Sequence, residues 1–156
     1  MSGFFTFMDR YRDEAACIAA LAELRWSQGF VCAGCAGRLA YQLTVRPRVF
    51  ECAGCGQQHS VTAGTVFHRT RTPLRKWFAA AWLIAQDKRG VSALFLAREL
   101  ALRYDTAWLM AHKLRHVLRS GRNSHSTAYW RSTRATMVVA VSPKAVAAAV
   151  PIRTKA

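Results

Sequence analysis

Acidic residues are scarce in this 156-residue chain and absent from its last third. All eight Asp and Glu lie at or before Asp105, and residues 106–156 hold none. Chemistry that gathers several carboxylates around a divalent metal is therefore excluded from that stretch. No apolar run reaches the roughly 18 residues of a membrane helix, so no helical span is expected. The first dozen residues, aromatic and then charged, lack the basic start, apolar middle and small-residue cleavage site of a secretory leader. The expected location is cytoplasmic, where thiols stay reduced and paired cysteines read as metal ligands rather than disulfides. No internal repeat is evident beyond two cysteine pairs.

What the chain has in excess is positive charge. Twenty-three Lys and Arg give a formal net charge of +15, with nine of these residues in the acid-free stretch after Asp105. Such a balance makes a polyanion the default partner, because each phosphate neutralised releases condensed counterions. The hydrophobic fraction of 52% is enough to build a packed core, and the length suggests one domain or two small ones.

The five cysteines are unevenly placed. Cys32-Ala-Gly-Cys35 and Cys52-Ala-Gly-Cys55 form two C-x-x-C pairs 16 residues apart. Two sulfurs three positions apart reach one metal from a tight turn, and a hairpin between the pairs brings the second turn alongside. One such pair would leave a redox motif open; two at this spacing point to tetrahedral Zn2+ held by Cys32, Cys35, Cys52 and Cys55. Closed four-sulfur coordination leaves no open position, so the metal is expected to be structural. Glycines 34, 37, 54 and 56 are read as supplying backbone freedom. Cys17, among alanines, is read as a small core residue, and His59 and His68 as surface or nucleic-acid contacts.

Around the cysteines, helix and strand patterns alternate. Ala16, Ala19, Ala20, Leu21 and Leu24 recur at helical spacing in a single helix over 9–26, closed by Gly29. Strands are expected at 39–45, 48–52 and 60–66. Pro73 opens a helix in its first turn, with Leu74, Trp77, Phe78, Ala81, Trp82 and Ala85 on its apolar face. Ser92 caps a shorter helix to Ala101, with Leu94, Ala97 and Leu100 inward. After a break near 102–104, a longer helix carries Ala107, Met110, Ala111, Leu114 and Leu118 inward and stops at Gly121. Trp77, Trp82 and Trp108 are read as core anchors.

The segment 91–119 has the dimensions of a helix-turn-helix, in which the start of the second helix enters the major groove. An ordinary helical hairpin with solvated charges fits the same pattern. On the DNA-binding reading Arg103, Tyr104, Asp105 and Thr106 meet base edges, supported by Lys113 and Arg115. Arg98 and Arg103 meet phosphates, as do Arg69, Arg71, Arg75 and Lys76 on the way into the helices. The expected fold is α+β: an N-terminal helix (1–28), a small four-cysteine zinc ribbon (29–68), a three-helix, helix-turn-helix-like segment (69–121) and a disordered basic tail (122–156).

These residues together resemble the zinc-ribbon transposases of bacterial insertion sequences. The likeness rests on the two cysteine pairs, on Ser60-Val-Thr-Ala-Gly-Thr-Val-Phe-His-Arg-Thr-Arg-Thr-Pro-Leu-Arg-Lys-Trp77, on Asp87-Lys-Arg-Gly-Val-Ser92, on Thr106-Ala-Trp108 and on His112-Lys-Leu-Arg115. It runs from about Phe4 to about Leu118. It implies modules that grip double-stranded DNA at terminal inverted repeats, ahead of an RNase H-like domain whose DDE carboxylates bind two divalent metals. An oligomer with a full-length transposase is compatible with it.

The chain departs from the family where chemistry begins. Relatives carry a Glu-Val-Asp-Glu-[Ser/Thr]-Tyr run soon after the helical segment; here Ala128-Tyr-Trp-Arg-Ser-Thr-Arg-Ala-Thr-Met-Val-Val139 stands instead. Back-translated with GC-rich codons and read from the third base of the Ala128 codon, this stretch becomes Leu-Leu-Glu-Val-Asp-Glu-Ser-Tyr-Asp-Gly-Gly. The unique Trp130 codon contributes the first base of the required Glu. The expectation is a truncated transposase, not itself an enzyme, whose tail is out of frame. An active transposase made by frameshifting and a stand-alone zinc-ribbon regulator are the alternatives.

Overall fold

The first helical stretch breaks in two at Tyr11. In the computed structural model, which describes residues 4–87, 90–120 and 153–154, helix α1 spans Phe4–Arg10 and α2 spans Glu14–Arg25. The single helix expected over 9–26 is interrupted because Asp13 is a helix cap. Its backbone is extended, and its Oδ1 accepts the amide of Ala16 at 2.7 Å; a residue in that conformation starts a helix and cannot sit inside one. α2 then buries Cys17, Ile18, Leu21 and Ala22, while Ala19 faces outward. Cys17 is a core residue as expected, its thiol pushed up to about 12 by burial, with Glu14 and Asp13 adding to the shift.

A small antiparallel sheet follows. Strands β1 (Ala40–Gln42), β2 (Val49–Cys52) and β3 (Gln58–Ser60) pair with Tyr41 opposite Glu51 and Phe50 opposite His59. The first two lie inside the expected ranges. The third comes earlier than 60–66, because the chain after Ser60 folds into successive turns (Ala63 N–H to Ser60 O, Thr65 to Thr62, His68 to Thr65) that carry Val61 and Phe67 inward. Within the tail expected to be disordered, Arg153–Thr154 forms a two-residue strand β4, parallel to β1. The free edge of β1 offers the unpaired backbone groups that such pairing uses. Residues 121–152 and 155–156, the rest of that expectation and the Gly121 stop, lie outside the described residues.

Three helices complete the chain: α3 (Leu74–Gln86), α4 (Ala93–Glu99) and α5 (Tyr104–Ser120). Pro73 is the N-cap of α3 rather than its first turn, and has no side chain with which to cap it. Ser92 caps α4 as expected, its Oγ accepting the Phe95 amide at 3.1 Å. α4 presents Leu96 and Ala97 to the core while Leu94, expected inward, stands exposed; Ala85 of α3 is exposed too. Both misplacements follow from the faces that neighbouring helices cover. α5 buries Ala107, Met110, Ala111 and Leu114 as expected, together with Val117. The side chain of Leu118, also expected inward, lies outside the described residues.

Between α4 and α5 lie only four residues, 100–103. The turn is a Schellman motif: the Leu102 amide bonds Ala97 O at 2.9 Å and the Ala101 amide bonds Arg98 O at 3.3 Å, with Ala101 at φ 48° in the left-handed region. Glycine is the usual occupant of that position.

One hydrophobic cluster joins all these parts. It runs from Phe7 and Tyr11 through Ile18 and Leu21 to Phe50, Val61 and Phe67 of the ribbon, and on to Leu74, Trp77, Leu96, Met110 and Leu114. At its edge sits a polar knot. Glu14, the first residue of α2, accepts from Arg48 Nη2 at 2.5 Å and Nε at 3.1 Å through Oε1. Its Oε2 accepts the Leu74 amide at 2.7 Å, capping the α3 that Pro73 leaves bare. Arg48 also donates to Thr70 O at 3.0 Å and Thr72 O at 3.4 Å. Glu14→Ala leaves both the guanidinium and the first amide of α3 without this partner. It is expected to cost roughly 2 kcal/mol, read as a lowered Tm that Glu14→Gln partly restores. Ala101→Gly removes left-handed strain and is expected to raise stability by about 1 kcal/mol in the same melt.

Candidate metal centre and nucleic-acid interface

The two cysteine pairs build two matching turns. In the first, the Ala36 amide bonds Cys32 O and the Cys32 amide bonds Gly37 O; in the second, Gly56 bonds Cys52 O and Cys52 bonds Gln57 O, all at 2.9–3.0 Å. The residue after the last cysteine of each pair must take a left-handed conformation, φ 56° at Ala36 and φ 71° at Gly56. The second turn has glycine there and the first does not. Of the glycines read as sources of freedom, only Gly56 uses a positive φ. Gly37 is favoured instead by closeness, since a Cβ there would crowd the Cys35 sulfur at 3.1 Å and that of Cys52 at 3.3 Å.

The hairpin between the turns brings all four sulfurs within 4.8 Å of one another. Cys32 and Cys55 stand 3.5 Å apart, as do Cys35 and Cys52. Four thiolates about 2.3 Å from a tetrahedral zinc are spaced by about 3.8 Å, so the donors fit the ion in number, chemistry and spacing. Cys32, Cys35, Cys52 and Cys55 form a structural zinc site. Cys32 and Cys52 are buried with Phe30 in a small cluster flanked by Trp26 and Ala40, and Cys35 and Cys55 are exposed.

The thiols are tuned by their neighbours. Cys32 is drawn down to about 6, chiefly by the Cys35 amide, with help from the Gly34 amide and from His59 and Cys55. The Cys55 and Gly54 amides lower Cys52. The Gly37 amide favours the Cys35 thiolate and the Gln57 amide that of Cys55. The Cys55 sulfur also favours the Cys35 thiolate, but Cys52, burial and Cys32 together raise Cys35, while Cys32, Cys35, burial and Cys52 push Cys55 to about 12. Without a cation the cluster cannot shed all its protons. His59 is not the surface residue expected. It is partly buried, its Nε2 lies 3.4 Å from the Cys32 sulfur, and its ring meets Phe30 edge to face. His68 is exposed, its Nδ1 accepting the Gly64 amide.

The residues expected at DNA fall into two groups. Arg69, Arg71, Arg75, Arg98, Arg103, Tyr104 and Asp105 are exposed, Arg69 at φ 55°. Lys113 is exposed as well, its ammonium 6.0 Å from the centre of the Trp77 ring. Thr106, Lys76 and Arg115 are partly buried. Lys76 donates to Ala101 O at 3.1 Å, fastening the start of α3 to the α4–α5 turn, and Arg115 donates to Val91 O. Both bonds tie one helix to the chain beside another.

The tryptophans divide likewise. Trp77 is buried and bonds Thr70 Oγ1 through Nε1 at 2.8 Å, and Trp82 packs on Phe4. Trp108, expected in the core, is 43% exposed, its ring 4.0 Å from that of His112. The stripe of Ala107, Met110, Ala111 and Leu114 points the other way, and that periodicity is the signal that could have placed Trp108 outside.

The metal centre yields two expectations. Cys35 and Cys55 hold their protons at neutral pH, so zinc binding displaces at least two. Its affinity is expected to fall about a hundredfold for each pH unit lowered near neutrality, as competition with a chromophoric chelator would show. Ala36→Gly relieves the first turn and is expected to stabilise the zinc-loaded chain by about 1 kcal/mol, with metal content unchanged.

Residues 12–58 match the family model for the transposase zinc-ribbon domain, a span that begins just before α2 and contains all four cysteines. No curated protein and no solved structure matches the chain. The zinc-binding part of this protein is thus similar to the zinc ribbon found in transposases.

Proposed function

We propose that the chain is the DNA-binding region of an insertion-sequence transposase and that it recognises terminal inverted repeats. The observation that carries this reading is the match of residues 12–58 to a transposase zinc ribbon, with its four sulfurs gathered for one metal. The charge of +15 suits a duplex partner,. The seven-residue α4, four-residue turn and 17-residue α5 suit a helix-turn-helix,. In this reading Arg103, Tyr104, Asp105 and Thr106, at the start of α5, meet base edges. Arg69, Arg71, Arg75 and Arg98 meet phosphates. Lys76 and Arg115 act by holding the helices, and Lys113 supports α5 from beside Trp77. The zinc gives the ribbon its fold and takes no part in chemistry.

No strand-transfer activity is assigned to these residues, because two-metal catalysis needs carboxylates and none follows Asp105,. The acid-free stretch also supports a second reading, in which residues after α5 are translated in a shifted frame and the catalytic part of an active transposase is supplied by frameshifting. The nucleotide sequence decides it: a Glu-Val-Asp-Glu run in another frame beyond the Leu118 codon is expected, and its absence ends the idea.

For the main reading, the full chain is expected to shift a duplex bearing the inverted repeat in a gel, and zinc chelation to abolish the shift. Arg103→Ala is expected to weaken it about tenfold. Affinity that survives complete metal removal would refute the role given to the ribbon. Binding to no repeat flanking the gene would favour a stand-alone zinc-ribbon regulator.

A further inference from the structure

The two metal-binding turns repeat along the chain, Cys32 matching Cys52 and Cys35 matching Cys55. Their backbone hydrogen bonds match too, the Cys32 amide on Gly37 O and the Cys52 amide on Gln57 O. The side chains that follow them do not. After the second turn come Gln57 and His59, and both reach the Cys32 sulfur at 3.4 Å. The corresponding places after the first turn are held by Gly37 and Leu39. Neither has a side chain able to donate a hydrogen bond, and Leu39 is 70% exposed. Cys32 thus has two polar side chains beside it that the repeat does not supply to its counterpart, Cys52.

Metal binding changes what these neighbours can do. A zinc-bound thiolate has no proton to give and only accepts. Gln57 Oε1 accepts from the Cys32 thiol; beside a thiolate the amide must turn over to offer its N–H instead, which an exposed side chain can do. His59 needs no such change. A neutral imidazole carries one N–H, and with that proton on Nε2 it donates to the sulfur where it stands. The ring is held there by other rings. It meets Phe30 edge to face at 5.3 Å, Phe30 meets Trp26 at 5.1 Å, and Trp26 meets Phe50, which pairs with His59 across β2 and β3. Cys32 is only 2% exposed, so water is a poor substitute for this donor.

We propose that His59 is a positioning residue of the metal centre, its Nε2–H donating a hydrogen bond to the zinc-bound Cys32 thiolate. Four thiolates outweigh one dication in charge, and N–H donors spread the excess. Groups just outside the ligands also orient them and set how tightly the ion is held. His59 is not itself a ligand here: the donor atoms that lie within 4.8 Å of one another are the four sulfurs and include no nitrogen. To the backbone amides that serve these sulfurs it adds a donor on a side chain, locked in place by the aromatic rings around it. The ribbon's strand β3 therefore does more than complete the sheet, because it carries the group that steadies one corner of the cage.

The test uses the full chain loaded with Zn2+ or Co2+. His59→Phe keeps an aromatic ring and removes the donor, whereas His59→Gln keeps an N–H donor and removes the ring. Zinc affinity, measured against a chromophoric chelator at one pH, is expected to fall about tenfold in His59→Phe and to recover in part in His59→Gln. The sulfur-to-Co2+ charge-transfer band is expected to move to lower energy in His59→Phe, because the Cys32 lone pairs lose their donor; a packing role alone would leave it in place. A second measurement needs no variant. In the wild-type chain loaded with an NMR-active cadmium isotope, the His59 Nε2 proton is expected to couple to the metal across the hydrogen bond. A His59→Phe chain with wild-type affinity and an unmoved band overturns the inference, as does an Nε2 proton without coupling. Direct coupling of the metal to an Nε2 that carries no proton overturns it too, by making His59 a ligand.

Discussion

The carboxylate of Glu14 holds three parts of the molecule in one place. One oxygen takes the Arg48 guanidinium from the ribbon and the other caps α3. The three elements meet across sequence separations of 34 and 60 residues, so this contact fixes an arrangement that local propensity could not specify. A chain with eight acids and 23 bases has few carboxylates, and this one serves architecture. The shared cluster from Phe7 to Leu114 supplies the cohesion; the ion pair supplies orientation, since apolar contact is non-directional while a forked arginine is not.

The zinc and the core divide the work of folding. Around the metal the apolar support is thin, limited to Phe30, two cysteines and the flanks of Trp26 and Ala40. Metal binding of roughly 10–16 kcal/mol in small zinc peptides shows how such a unit can be stable with so little buried surface. The other face of the ribbon, through Phe50 and Val61, belongs to the common core. Arg48, just ahead of β2, therefore converts metal-dependent order into a fixed position for α3 and the two helices after it.

Much of this is legible in the sequence. The cysteine spacing specifies the metal and its ligands because coordination geometry leaves few alternatives. Ser92 and the stripe Ala107, Met110, Ala111, Leu114 place α4 and α5 because capping and periodicity are local. The misreadings share a cause. Asp13 hides its capping role within a run of helix formers. Trp108 and Leu94 look inward by residue type, when the face that a neighbour covers decides exposure. The carbonyls that Lys76 and Arg115 meet, of Ala101 and Val91, lie across the fold and are likewise hidden in the sequence. The Glu14–Arg48 pairing is invisible for the same reason.

The two metal-binding turns are alike in hydrogen bonding but not in backbone ease. Alanine holds the left-handed position after Cys35, and glycine holds it after Cys55. The consequence is one of backbone strain: alanine in that conformation costs about 1–2 kcal/mol where glycine costs little. A site symmetric in its four sulfurs is thereby asymmetric in the chain that presents them.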